Sequence, residues 1–257
     1  MHSPQRPLSK LAVSGVVLAV AGMLMAALSG LGTRMDMWHF SVGFTLLKWA
    51  AIIAAVALAV ALIALYVTQL RQTRRGTLPA FLGIIIAATT LTPPLLWMQR
   101  AAAVPRIHDI TTDTVNPPRF DAVLPLRRDA PNASAYGGAE IARQQRQAYP
   151  EVQPLVFAAP PRDVFPAALA TAQEMGWHIV AADADSTRIE ATDTTFWFGF
   201  KDDVVVRIRA HEGGSRVDVR SLSRVGLSDV GTNARRIVTY LDSLSAKLGQ
   251  QETLSDG

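Results

Sequence analysis

Three apolar stretches constrain this chain before anything else: LAVSGVVLAVAGMLMAALSGLG (Leu11–Gly32), FTLLKWAAIIAAVALAVALIALYV (Phe44–Val67) and LPAFLGIIIAATTLTPPLLWM (Leu78–Met98). Each is about as long as the ~20 apolar residues that carry a helix across a hydrocarbon core. A backbone in lipid must satisfy its own polar groups, so each stretch predicts a spanning helix. Arg6 and Lys10 precede the first stretch, as a basic segment precedes a signal core. Its apolar run, however, exceeds the roughly 7 to 15 residues of such a core, and two further spans come after it, so it is read as a retained helix. Lys48 lies near the start of the second span, within reach of the interface, and no acidic residue stands in any of the three. Transport is disfavoured on that ground and by the small number of spans.

Orientation follows from the flanking basic residues. Arg6 and Lys10 precede the first span and Arg71, Arg74 and Arg75 separate the second from the third, whereas the first connection carries Arg34 with Asp36 beside it. The N-terminus and the second connection are therefore expected in the cytoplasm and everything after the third span on the opposite side, although Arg100 and Arg106 weigh against this. Among 25 basic residues only Lys10, Lys48, Lys201 and Lys247 are lysines. With the abundant alanine, that usage is typical of GC-rich bacterial genomes. The expectation is a multi-pass bacterial inner-membrane protein with a periplasmic C-terminal domain. No cysteine is present, which excludes a disulfide framework, a thiolate metal site and a cysteine nucleophile. A net charge of +4 is too small to point to nucleic acid.

Residues 99–161 are rich in proline, including Pro105, Pro117, Pro118, Pro125, Pro131 and Pro150. Such a stretch predicts extended chain, with one short helix around Gly138 to Gln147. A structureless loop of that length is unusual in a compact domain, so part of it is expected to lie down on the residues C-terminal to it. Next, RDVFPAALATAQEMG places Phe165, Ala168, Leu169, Ala172 and Met175 on one helical face, with Gly176 in a left-handed cap. Four strand-like runs succeed it: WHIVAAD, STRIEATD, DVVVRIRA and SRVDVRSLS. Val204, Val206 and Ile208 alternate with Val205, Arg207 and Arg209, the period of a sheet with one buried face. A last helix is expected from about Asp229 to Leu248. The predicted fold class is α+β: three transmembrane helices, then an antiparallel four-stranded meander covered by two helices, helix-grip-like. The expected boundaries are 1–98 for the membrane region, 99–106 for a short linker, 107–248 for the extracytoplasmic domain and 249–257 for a tail.

Three segments carry candidate chemistry. GLSDVGT spaces Gly226 and Gly231 as a nucleotide phosphate loop does, but Thr232 stands where that loop requires lysine, which removes nucleotide hydrolysis. An anion site survives as a candidate: Ser228 capping the last helix, with Arg224, Arg235 and Arg236 as a clamp. Against it, Asp229 answers the helix dipole itself, and the arginines have Asp218 or Asp202 to pair with. IHDITTD gathers His108, Asp109 and Asp113, a set with metal-ligating or acid–base potential. No further ligand approaches them at metal spacing, and local backbone bonding is the ordinary habit of such aspartates and threonines. FWFGF, Phe196 to Phe200, is read as strand, alternate members packing in the core; the functional alternative to core packing is Trp197 on the other face, lining an apolar groove for a lipid or peptide. No catalytic residue, metal or cofactor is assigned.

IHDITTD, NPPRF, YPEVQPL, GWHIV, IEATDTTFWFGFKDDVVVRI and RVDVRSLSRVGLSDVGTNARRI together resemble the family known as domain of unknown function 1499, over roughly Ile107 to Leu248. The resemblance implies that the proline-rich stretch from Ile107 belongs to the domain. It brings no activity with it. The bilayer is the first expected partner; beyond it, the reading is non-catalytic binding of an envelope protein or an anionic lipid or glycan. The alternative is an envelope enzyme acting on an anionic substrate through His108, Asp109, Asp113 and the arginines.

Overall fold

A computed structural model describes residues 7–71 and 75–255; Arg6 and Arg74, which bear on orientation, lie outside them. The chain divides into two compact units, Met1–Gln99 with Phe196–Gly199, and Arg100–Thr195 with Phe200–Gly257.

The first unit is built on helices α1 (Lys10–Arg34), α2 (Phe40–Arg71) and α3 (Thr77–Ala103), all long and apolar enough to cross a membrane. Small residues line their contacts. Ala12, Gly15, Ala19 and Gly22 of α1 are buried at intervals of three and four, as are Ala50, Ala54, Ala57 and Ala61 of α2 and Ala80, Gly83 and Ala87 of α3. A Cβ on Gly15 or on Gly83 would lie 3.2 Å from Ala61, so the three helices come close together there. Leu24, Leu62 and Ile63 point outward. Lipid offers no hydrophobic gain from burying leucine, so close backbone approach at small residues is what joins such helices. Ser9 caps α1, its hydroxyl accepting the Ala12 N–H.

Residues 196–199 form part of this unit and are not strand, contrary to the reading of FWFGF. A Cβ on Gly30 would collide with the Trp197 indole, and the Phe198 ring lies 5.0 Å from that of Phe44. Arg34 Nη1 donates to the Phe196 carbonyl at 2.7 Å.

The second unit holds a six-stranded antiparallel sheet: β1 (Asp109–Thr111), β2 (Leu155–Phe157), β3 (His178–Asp183), β4 (Arg188–Thr194), β5 (Lys201–His211) and β6 (Gly214–Ser223). The meander β3 to β6 is the one the sequence predicts. Two strands are added to the expected four, because the proline-rich stretch supplies β1 and β2. They lie end to end along the outer edge of β6, β1 against Arg220–Leu222 and β2 against Ser215–Val217.

One sheet face carries Ile189, Val204, Val206, Ile208, Val217 and Val219 into the core with helices α5 (Pro161–Glu174) and α6 (Thr232–Ser255). Phe165, Ala168, Ile237, Tyr240 and Leu244 meet them from the helices, and Trp177 stacks on Tyr240 at 5.0 Å. Gly176, at φ 77°, comes after α5 in the left-handed conformation its cap requires. Helix α6 starts three residues later than predicted and continues past Leu248 to Ser255. The opposite face is covered too, which corrects the expectation of one buried face. Phe120 and Val123 pack on Val205 and Leu222, and a 3₁₀ turn (Leu124–Arg127) carries Arg127 into the same layer. Helix α4 (Gly138–Ala148) then closes the edge at β1, the buried Gln145 amide accepting the Thr111 N–H at 3.0 Å and donating to its carbonyl at 2.7 Å.

Candidate functional site

The second sheet face is charged by alternation. Residues Arg188, Glu190 and Thr192 of β4, Asp203, Arg207 and Arg209 of β5, and Arg216, Asp218 and Arg220 of β6 share it, because successive strand residues point to opposite faces. Buried charges persist only when paired, and here carboxylates meet guanidiniums throughout. Asp203 accepts from Arg127 at 2.5 Å, from Arg224 at 2.7 and 2.9 Å, and from the Thr192 hydroxyl at 2.7 Å. Burial alone pushes its carboxyl up, but Arg224, Thr192 and Arg127 outweigh this and hold it below the ordinary carboxylate range.

The sequence-predicted anion clamp does not converge. Arg224 is spent on Asp203, whereas Arg236 reaches through the helix side of the sheet to Asp193 at 2.7 Å and Asp202 at 2.6 Å. Arg235 is exposed and leans on Thr232 of its own first turn. Ser228 Oγ accepts the Val230 N–H at 3.2 Å, and the Asp229 carboxylate takes the N–H groups of Gly231 and Asn233 at 2.9 and 2.7 Å. The helix N-terminus thus holds its own anion. Burial pushes the Asp229 carboxyl up despite those two bonds.

Nor do His108, Asp109 and Asp113 meet. His108 Nδ1 lies 3.5 Å from the Leu227 carbonyl. Asp109 is buried against Arg220, while Asp113 pairs with Arg207 and Arg209 at 3.2 and 3.3 Å. The Asp113 carboxyl, raised by burial, is lowered overall by N–H bonds from Asn116 and Val115 and by the charges of Arg216 and Arg207. Among the described residues no group of three or more His, Cys, Asp or Glu side chains is placed to hold a metal ion.

What sequence reasoning missed is a cavity of about 500 Å³ over the middle of this face, lined by Val115, Asn116, Pro117, Arg119, Phe120, Ser134, Ala135, Tyr136 and Arg220. Arg220, 2% exposed, forms its floor. Its Nε and Nη2 donate to the two Asp109 oxygens, both at 2.8 Å; Nη2 also reaches the Ser134 carbonyl at 2.8 Å and Nη1 the Pro118 carbonyl at 3.1 Å. A guanidinium has five donors, so one on Nη1 is left. Its guanidinium carbon lies over the Phe120 and Tyr136 rings, at 4.9 and 5.6 Å from their centroids. The Tyr136 hydroxyl is buried without a partner, and burial together with the Asp109 charge pushes it up to about 12, so it stays a donor at neutral pH. Among the described residues no carboxylate lines the cavity, and Arg119 stands exposed at its side. The signal was present in RVDVRSLSR, where Arg216, Asp218, Arg220 and Arg224 fall on one strand face. That face reads as solvated until the proline-rich stretch is known to cover it.

Comparison with curated proteins returns no match. The profile of the family described as "Protein of unknown function (DUF1499)" matches residues 109–244, from the first residue of β1 to the middle of α6, which includes the sheet, the cavity floor and the charged face. With more than half its length so matched, the chain belongs to the DUF1499 family.

Proposed function

We propose that this protein is a bacterial inner-membrane protein whose periplasmic domain binds a small anionic ligand in the Arg220 cavity without turning it over. One observation carries the reading: a rigid, buried guanidinium with an unspent donor floors a cavity that, among the described residues, no carboxylate lines. The Tyr136 phenol and the exposed Arg119 add donors of the same sign, and the apolar walls of Val115, Pro117 and Phe120 favour a ligand with an apolar body. The volume suits a small organic molecule. A carboxylate or phosphate head, as borne by lipids and glycans of an envelope, has the matching chemistry.

The test is thermal unfolding of the full chain in detergent with inorganic phosphate, benzoate and octanoate. A ligand selective for the folded state raises the midpoint, by an amount equivalent to about 2.7 kcal/mol at a hundredfold excess over Kd. Arg119→Ala, which leaves the buried pair intact, should weaken that shift. An unchanged midpoint with all three anions would overturn the reading.

A further inference from the structure

Phe196 is 92% exposed, although its neighbours Trp197 and Phe198 are half-buried and buried. The Arg34 bond to its carbonyl fixes it beside the C-terminal end of α1, and Met35 and Met37, in the connection from α1 to α2, are 70% and 65% exposed at the same end. Trp38 seats its indole against Gly32, as Trp197 does against Gly30. Trp beside a basic residue at the end of an apolar span marks a membrane–water interface, where indoles prefer the headgroup level and arginine extends its charge outward. An apolar ring held there has acyl chains, not water, as its neighbours.

We infer that residues 196–199 are a lipid-binding element, in which Phe196 enters the headgroup–acyl boundary of the leaflet at the α1–α2 end of the bundle and Trp197 and Trp38 anchor it. The occupant is bilayer lipid. The Phe196 backbone is tied to the end of a spanning helix, and that helix fixes the depth of the ring. This element is separate from the Arg220 cavity, and either can fail without the other.

The absence of native cysteine makes the test direct. Phe196→Cys carrying a nitroxide, in the full chain reconstituted into phosphatidylcholine vesicles, is compared with Leu24→Cys on the outward face of α1 and Glu212→Cys in the exposed β5–β6 turn. Collisions with lipid-soluble oxygen should exceed those with a water-soluble nickel chelate several-fold, placing position 196 nearer to position 24. A label that behaves like the one at 212 overturns the inference. So does one shielded from both reagents, which would mean a protein contact instead.

Discussion

Arg220 and Asp109 sit 111 positions apart in the chain and share two hydrogen bonds of 2.8 Å beneath the cavity. Removing one member of such a pair leaves the other's charge buried without its partner, at a cost of about 3–5 kcal/mol. Arg220→Met should therefore lower the urea midpoint strongly, and Arg220→Met with Asp109→Leu should recover most of the loss. The acid limb has a defined sign. Asp203 and Asp113 have folded pKa values below their ordinary ones, so the stability they contribute is present above the unfolded value of ~3.9 and is lost as pH falls through the lower folded values. Asp229 is shifted upward, so its contribution improves as pH falls. Asp229→Asn should then steepen the acid loss, and Asp203→Asn should flatten it from a lower starting stability. Urea midpoints between pH 7 and pH 3 check both.

At the scale of elements, Gln145 does for β1 what another strand would do, bonding both the N–H and the carbonyl of Thr111. Gln145→Ala should leave those groups buried and unmatched, at about 1–3 kcal/mol each, and amide exchange at Thr111 should accelerate. In the membrane unit the equivalent weak point is steric. Gly83→Leu forces side-chain atoms into a gap where a Cβ alone would lie 3.2 Å from Ala61, so overpacking of about 1–3 kcal/mol is expected, read as easier unfolding in mixed micelles. The spans, α5, α6 and the meander were legible in the sequence because each runs long enough to show its period. Strands β1 and β2 were not: three residues display no alternation, and they are strands only because the edge of β6 offers partners. FWFGF misled for a related reason, since aromatic density favours strand but Gly199, at φ 69°, lies in the left-handed region that glycine favours.

For the whole molecule, orientation is a matter of charge placement. A reporter fused at the C-terminus should be active only in the periplasm, and one in the connection between α2 and α3 only in the cytoplasm; the opposite pattern would reverse the compartment of the C-terminal domain. Amino-acid order and composition establish that three helices are apolar enough to span, that an antiparallel meander with two covering helices comes after them, and that no thiol chemistry is available. Those properties are local, written in length, period and composition. Tertiary structure alone decided which charges meet. Arginines close in sequence part company, Arg224 to Asp203 on one face of the sheet and Arg236 to Asp202 on the other, because strand alternation sends neighbouring positions to opposite sides. The proline-rich stretch then seals one of those faces, and that covering turns Arg220 from an exposed strand arginine into the floor of a cavity.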